Sequence, residues 1–196
     1  MRLRPLLCLC VLAVVGSVGP ALSATTTRVS VDSSGAQADS GGWMPVVSAD
    51  GRFVAFQSYA TNLVAGDSNG ASDVFVHDRQ TGETARVSVA SDGTQADGAS
   101  TAPSISADGR FVAFQSDATN LVAGDSNAAV DVFVHDRETG QTTRVSTATG
   151  GGQANGVSLA PVISADGRFV AFESAATSLV AGDTNGVGDV FVHDTH

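Results

Sequence analysis

Apolar residues in this chain occur in short blocks and not in long or helically spaced stripes. The blocks RFVAF at 52–56 and DVFVHD at 73–78 are rich in the β-branched and aromatic residues that favour strands. Turn residues bound them, with Ala-Asp-Gly at 49–51 before the first block and Thr-Gly at 81–82 after the second. No window has the spacing of an amphipathic helix, apart from a single turn near 60–64. The pattern predicts an all-β fold of short strands.

The blocks recur three times at a constant interval. The block SADGRFVAF begins at Ser48, Ser106 and Ser164, so each interval is 58 residues, with no insertion or deletion. In the first unit we predict four strands, at 45–48, 52–56, 73–78 and 84–89, and the fourth strand recurs at 142–147. Repeats of four short strands are typical of a β-propeller-type array of four-stranded antiparallel blades, with one blade per repeat.

The repeated blocks resemble the blades of TolB-type, WD-repeat-like β-propellers. SADGRFVAF is similar to the S-P-D-G-x-x-I-A-F signature of that family, and DVFVHDRQTGETARVSV is similar to its I-Y-V-x-D-x-x-T-G-x-x-x-x-L-T. The chain departs from the signature in having Ala49, Ala107 and Ala165 where the family has proline. The resemblance extends from about residue 25 to the end. It implies a propeller fold and envelope or extracellular protein contacts, but it assigns no partner-binding residue.

The first 24 residues have the order of a secretory signal peptide. Arg2 and Arg4 precede an apolar run at 6–15, and small residues follow. This run is shorter than the roughly 20 residues that a membrane-spanning helix needs. We therefore predict cleavage near Ser23 and secretion, or export to the periplasm or cell envelope. Both cysteines lie in the removed segment. The remaining chain divides into repeats at about 25–82, 83–140 and 141–196.

The charge balance excludes two classes of partner. The 196 residues include 10 basic and 20 acidic side chains, for a formal net charge of −10. Loss of two arginines with the signal peptide makes the balance 8 − 20 = −12. Such a chain has little with which to displace the counterions of a nucleic acid, and anionic lipids repel it. We expect no nucleic-acid partner and no stable membrane insertion.

The order of the strands raises the question of how the ring closes. The mature part begins with fourth-strand sequence at 25–31, and its last block is third-strand sequence at 189–194. We expect the strand at 25–31 to complete the C-terminal blade. Three blades are fewer than the 4–8 that propellers typically have. Either two chains join head to tail as a homodimer with a six-bladed ring, or the chain is a fragment of a longer repeat protein.

The connection between the second and third strands carries a polar cluster in every unit. It places Asp, Asn and Asp at relative positions 1, 3 and 7. Carboxylate and amide oxygens on a flexible turn are the ligands that Ca²⁺ prefers, so calcium is the one candidate cofactor. Asp and Asn also stabilise turns by bonding to their own backbone, and this structural role is the alternative. The candidate ligands are Asp67, Asn69, Asp73, Asp125, Asn127, Asp131, Asp183, Asn185 and Asp189.

Two further side-chain types recur once per unit. The histidines are His77, His135 and His193. Equivalent positions in a propeller lie far apart, so we expect hydrogen-bonded structural histidines and not a shared metal site. The arginines of the predicted outermost strand are Arg28, Arg86 and Arg144. We expect them to form a solvated, charged edge that discourages pairing between sheets.

The sequence predicts a binding module and no catalytic residues. There is no G-x-S-x-G elbow, and the serine of Gly-Asp-Ser at 66–68 is replaced by Thr184 in the third unit. We predict a non-enzymatic scaffold that binds a protein or glycan through the face carrying the long loops, because function concentrates on loops. The alternative is a calcium-stabilised extracellular propeller domain, a fragment or appendage of a larger secreted hydrolase. The candidate contact residues are Gln37, Trp43, Gln95 and Gln153.

Overall fold

A computed structural model describes residues 24–195, so the predicted signal peptide lies outside the described residues except for Ala24. Within 24–195 the chain forms eleven β-strands and no helix. The strands make two four-stranded sheets and one three-stranded sheet, all antiparallel and in chain order. This confirms the predicted all-β architecture of propeller-type blades. The prediction of a single helical turn near 60–64 is wrong, because these residues form no helical turn.

Each sheet is one blade. Blade 1 consists of β1 (Gly42–Val47), β2 (Phe53–Ser58), β3 (Asp73–Asp78) and β4 (Thr84–Arg86). Blade 2 consists of β5 (Ser100–Ile105), β6 (Phe111–Ser116), β7 (Asp131–Asp136) and β8 (Thr142–Arg144). Blade 3 consists of β9 (Ser158–Ile163), β10 (Phe169–Ser174) and β11 (Asp189–Asp194).

The three blades form an open arc around their first strands. Strand β5 contacts both β1 and β9, so the first strands are the inner ones and blade 2 lies between the other two. We call the side of blade 1 that faces away from blade 2, together with residues 24–41, the head. The side of blade 3 that faces away from blade 2 is the tail.

Apolar layers between the blades form the core. Val74 and Val76 of β3 pack in one cluster with Phe114 and Phe133 of blade 2. The two phenylalanine rings stack with their centroids 5.9 Å apart. The equivalent layer between blades 2 and 3 contains Val132, Val134, Val170, Phe172 and Leu179. Removing these side chains from water is the main stabilising contribution in such a layer.

The first and fourth strands have different limits from those predicted. Strand β1 begins at Gly42, not 45, because Gly42 and Trp43 also pair with β2, ahead of a bulge between Trp43 and Val46. Met44 at the bulge has a φ of 51°, and its equivalents Ala102 and Ala160 have the same value. The fourth strands end at residues 86 and 144 instead of 89 and 147, because the chain then turns into the long connection.

The predicted strand at 25–31 does not complete blade 3. These residues form no strand, and Val31 makes only an isolated bridge with Gln37. The segment instead covers the head of blade 1, where Thr84 Oγ1 donates to the Val31 carbonyl at 2.5 Å. The physical reason is distance along the arc, because blade 2 separates the head from β11. Within 24–195, β11 therefore pairs with β10 alone.

The glycine of the Ala-Asp-Gly turn allows neighbouring blades to approach closely at both internal junctions. Gly109, in the Ala-Asp-Gly turn, has a φ of +75°, and a Cβ there would lie 2.1 Å from the ring of Phe53 in blade 1. Gly167 meets Phe111 in the same way at the next junction. Gly51 is the equivalent residue at the head, where the nearest atom to such a Cβ is Arg79 Nη1 at 3.7 Å. The turn thus needs glycine for contact as well as conformation wherever a blade precedes it.

Candidate functional site

The connections divide between two faces of the arc, as the sequence predicted. The tight turns at 49–51 and 79–82 join strands on one face, which we call the turn face. The connections at 59–72 and 87–99 lie at the opposite ends of the strands. Their side chains contact each other, since Gln95 Nε2 donates to Asp67 Oδ1 at 2.9 Å. We call this second surface the long-loop face.

Arg86 is largely buried between two aspartates, not solvated at a sheet edge as predicted. Its side chain is only 10% exposed, and its Nη1 lies 3.6 Å from Asp67 Oδ1 and 3.5 Å from Asp73 Oδ2. The side chain points from the end of β4 into the long connection that precedes β3. We call this arrangement of one arginine between two aspartates an acid–arginine slot.

Hydrogen bonds donated by Ser88, Gln95 and Asn69 complete the slot in blade 1. Ser88 Oγ donates to Asp73 Oδ1 at 2.6 Å, and Gln95 Nε2 donates to Asp73 Oδ2 at 3.0 Å. Asn69 Nδ2 donates to the Ala96 carbonyl at 2.9 Å. Burial raises the pKa of Asp73, while these hydrogen bonds and the arginine oppose the shift. The slot therefore ties the connection at 59–72 to the connection at 87–99, which leads into blade 2.

Blade 2 contains the same slot. Arg144 Nη1 lies 3.3 Å from Asp125 Oδ1 and 3.5 Å from Asp131 Oδ2. Ser146 Oγ donates to Asp131 Oδ1 at 2.6 Å, and Gln153 Nε2 donates to Asp125 Oδ1, also at 2.6 Å. Burial, followed by the charge of Asp131, raises the pKa of Asp125. The amides of Gln95 and Gln153, expected at a partner surface, are thus engaged inside the slots.

These contacts define what the candidate calcium ligands do in the first two units. A guanidinium group already balances the converging carboxylates there. Asn69 Oδ1 and Asn127 Oδ1 accept hydrogen bonds from backbone N–H groups two residues later, as in the turn-stabilising alternative. Among residues 24–195, no group of three or more His, Cys, Asp or Glu side chains is placed to hold a metal ion. Calcium binding stays a prediction from the sequence.

The parts of a third slot lie at opposite ends of the arc, with the aspartates at the tail and the arginine at the head. At the tail, Asp183 and Asp189 have no arginine between them in the described chain, and Asn185 Nδ2 donates to Asp189 Oδ2 at 2.9 Å. A cavity of about 260 Å³ lies beside them. At the head, Arg28 is exposed and its Nη1 donates to Gln37 Oε1 at 2.7 Å.

Two of the three recurring histidines, His77 and His135, are hydrogen-bonded within their blades, as predicted for structural histidines. His77 Nδ1 lies 2.9 Å from Thr84 Oγ1, and His135 Nδ1 lies 2.9 Å from Thr142 Oγ1. Because each threonine hydroxyl donates to a backbone carbonyl, we assign the proton of the contact to the histidine Nδ1. Burial lowers the pKa of both imidazoles below their usual 6.5.

This burial predicts that the fold loses stability as the pH falls from about 7 to about 5. The unfolded chain takes up protons on His77 and His135 below pH 6.5, whereas the folded chain resists protonation. The melting temperature should therefore decrease across this range. Replacing both residues by asparagine, which keeps an N–H donor near the Nδ1 position, should reduce the dependence and leave the contribution of His193, whose pKa burial also lowers. An unchanged pH dependence in the double variant would contradict this assignment.

Side-chain bonds hold the exposed loops of the long-loop face in place. Asp39 accepts hydrogen bonds from the Thr61 N–H at 2.9 Å and from Thr61 Oγ1 at 2.7 Å. Asn62 Nδ2 donates back to the Gln37 carbonyl at 2.9 Å. The next unit repeats the first pair with Asp97 and Thr119. The side chains of these loops thus hold the loops in one arrangement.

An aromatic pair lies at the end of blade 1 that belongs to the long-loop face. Trp43 is 46% exposed and Tyr59 is 53% exposed. Their rings meet edge to face, with centroids 6.0 Å apart. The equivalent residues of the second unit are Thr101 and Asp117, so the pair occurs once and breaks the symmetry of the repeats.

The comparisons with known proteins identify the fold. No protein-family model and no curated protein sequence matches the chain. Among solved structures, putative TolB from Agrobacterium tumefaciens matches with 17% identity and a TM-score of 0.50, covering 79% of this chain and 46% of that one. TolB from Acinetobacter baumannii matches with 16% identity and a TM-score of 0.46, covering 80% and 30%. The β-propeller domain of the Trilobed protease from Pyrococcus furiosus matches with 14% identity and a TM-score of 0.42, covering 80% and 43%.

The match to the Agrobacterium protein shows that the chain has a TolB-like β-propeller repeat fold. The chain spans less than half the length of each of these three structures. Within residues 24–195, no helix has the length and apolar character required to cross a bilayer.

Proposed function

We propose that the chain is an exported, non-enzymatic propeller module that binds a protein partner with a basic surface through its long-loop face. The observation that carries the proposal is the exposed pair Trp43 and Tyr59 on a face whose loops are already ordered. Trp and Tyr are enriched among the residues that dominate binding energy at protein interfaces.

The charge of the long-loop face favours a basic partner. Asp39 and Asp97 are exposed there. Burial acts to raise the pKa of Asp97, but hydrogen bonds from Thr119 outweigh it, and those from Thr61 act likewise on Asp39, so the pKa of each lies below its usual value. They are therefore ionised at any physiological pH. Arg52, Arg110 and Arg168 lie beside the tight turns of the opposite face, where each forms an ion pair with an aspartate. A complementary potential of this kind accelerates association and selects partners.

Two sequence features support the remaining parts of the proposal. The order of charged, apolar and small residues at 1–24 supports export, and residues 25–196 contain no cysteine that an oxidising compartment would pair. The acidic clusters, which are the strongest candidates for chemistry, have internal arginine and glutamine partners in two units. A structural role for these clusters supports a module without catalysis.

The test replaces the aromatic pair with the residues that the second unit carries at the same positions. In Trp43→Thr/Tyr59→Asp, we expect the fold to persist and cross-linked capture of a protein from envelope or culture extracts to fall at least about tenfold, as for loss of an interface hot spot. The matched control is Glu138→Gln on the turn face, which should capture the partner normally. Capture by the unmodified chain should weaken at high salt.

Two outcomes would contradict this function. Equal capture by the double variant and the unmodified chain would exclude the aromatic pair as the anchor. Binding to a glycan array that depends on Trp43, without capture of any protein, would favour a glycan partner instead.

A further inference from the structure

We propose that the head of one chain docks on the tail of a second copy, so that two chains close a six-bladed ring. The surfaces involved are the two ends of the arc, and the proposal does not depend on what the long-loop face binds. Each end carries the half of a junction that the other end lacks.

The tail exposes a surface that the internal junctions bury. Val190 and Val192 of β11 are 75% and 67% exposed. Their equivalents Val74 and Val76 in blade 1 are fully buried against blade 2. The same side chains on the same strand are thus core residues wherever another blade follows. An exposed apolar patch of this kind marks an interaction surface.

Two cavities at the tail correspond to a fourth strand and its arginine. One, of about 400 Å³, is lined by residues 147–151 together with Phe191, Val192 and His193. In blade 1 the fourth strand lies at the corresponding place, pairing Val76 with Ala85 and His77 with Thr84. The other cavity is the divided slot beside Asp183 and Asp189.

The head carries the residues that fill these cavities at the internal junctions. The residues of the head are identical to those found 58 positions later at the first internal junction. The head residues Thr26, Arg28, Ser30, Gln37 and Ala38 correspond to Thr84, Arg86, Ser88, Gln95 and Ala96. Strand β11 is the equivalent of β3 two repeats later. If the head of the other copy pairs with β11 as β4 pairs with β3, Phe191 pairs with Arg28, Val192 with Thr27 and His193 with Thr26.

Charge complementarity identifies the occupant. The tail carries Asp183 and Asp189 without a guanidinium between them, and the head carries Arg28 exposed to solvent. Docking would place Arg28 between the two aspartates, as Arg86 lies between its own pair. Ser30 Oγ would donate to Asp189, and Asn185 Nδ2 would donate to the Ala38 carbonyl, as their equivalents do in blade 1.

The turn face and the inner strands offer further matching contacts. Phe169 is partly exposed at the tail, and Gly51 at the head has the open space and positive φ that Gly109 uses against Phe53. Gln57 Oε1 accepts the Ala102 N–H at 2.9 Å in the internal junction. At the tail this position is Glu173, whose carboxylate can accept the equivalent Met44 N–H equally well.

The geometry favours a second copy over closure within one chain. The head and tail lie at opposite ends of the arc, with blade 2 between them. Two arcs contribute six blades, within the usual range of 4–8, and a twofold axis along the channel relates the two junctions.

The test measures mass in solution by light scattering on the purified chain and two variants. The unmodified chain should have the mass of two chains. Arg28→Glu places a negative charge at the acidic tail, and Val192→Glu places one in the valine layer. Each variant should self-associate about a hundredfold or more weakly, because an uncompensated charge would be buried, and should have the mass of one chain.

Mixing the variants separates a lost junction from a misfolded chain. Arg28→Glu retains a functional tail and Val192→Glu retains a functional head, so the mixture can form one intact junction and should recover the two-chain mass. Glu138→Gln is the control, because Glu138 is exposed in blade 2 and pairs with Arg110 of the same blade, away from the head and the tail.

Three results would overturn the proposal. The first is a single-chain mass for the unmodified chain at all concentrations up to about 100 µM, well above the range of a specific interface. The second is a two-chain mass that neither variant changes. The third is an open series of larger species, which would show that the junction does not close after two copies.

Discussion

Replacing Arg144 by alanine is expected to lower the free energy of unfolding by about 3–5 kcal/mol, the usual cost of removing one partner from a buried ion pair. The variant would leave Asp125 and Asp131 facing each other in a site where both side chains are almost fully buried. Urea unfolding of the variant and the unmodified chain measures the difference. The result matters for function because the slot ties together the loops of the proposed binding face.

Arg110→Ala is the matched control in the same repeat. Arg110 makes a better hydrogen-bonded ion pair than Arg144, with Nε and Nη2 at 2.9 and 2.8 Å from the two carboxylate oxygens of Asp136. Its side chain is nevertheless 38% exposed, so water replaces much of what is lost and the cost should be much smaller than that of Arg144→Ala. A larger loss for Arg110→Ala than for Arg144→Ala would contradict the importance of burial.

The pH dependence of the Arg144→Ala defect provides an independent check. Burial and the charge of Asp131 already raise the pKa of Asp125, and loss of the guanidinium should raise it further. The folded variant then takes up a proton above the usual carboxyl value of 3.8, where the unfolded chain does not. The defect should therefore shrink as the pH falls towards about 4. Neutralising both acids in the same variant, with Asp125→Asn and Asp131→Asn, should recover much of the loss at pH 7.

The strands could be predicted from the sequence because their signal is local. The blocks RFVAF and DVFVHD combine β-branched and aromatic residues with turn residues within a few positions, and the pattern occurs three times. The limits of β1 could not be predicted in this way. Its bulge places Met44 at a positive φ, a conformation that the preference of a non-glycine residue argues against. The same φ recurs at Ala102 and Ala160, so the bulge in each first strand imposes this conformation.

The acid–arginine slot was missed because its parts are distant in sequence. Arg86 follows Asp67 by 19 residues and Asp73 by 13, and only the folded long connection brings them together. A usable signal was present in the repeats. After the clusters that end at Asp73 and Asp131, an arginine and a glutamine follow at the same spacing. The arginine and glutamine at 28 and 37 come before the first cluster, and the cluster that ends at Asp189 is the last.

Replacing Phe133 by alanine is expected to lower the free energy of unfolding by about 3–5 kcal/mol, as large-to-small changes of a buried phenylalanine do. Its ring is completely buried between blades 1 and 2 and stacks on Phe114. The alanine variant would lose this contact and leave a cavity that the rigid strands of two blades cannot close. Urea unfolding measures the loss, and Phe133→Leu should show a smaller one.

Phe191 is the matched position at the open end, because it occupies the same place in DVFVHD and stacks on Phe172 with centroids 6.0 Å apart. It borders both tail cavities, so part of its ring stays in water. In the Arg28→Glu chain, which our proposal predicts to be a monomer, Phe191→Ala should cost clearly less than Phe133→Ala. In the unmodified chain the two costs should converge, because a docked head would cover Phe191 as blade 2's own fourth strand covers Phe133. Equal costs in the monomer would show that burial at the tail does not depend on a second copy.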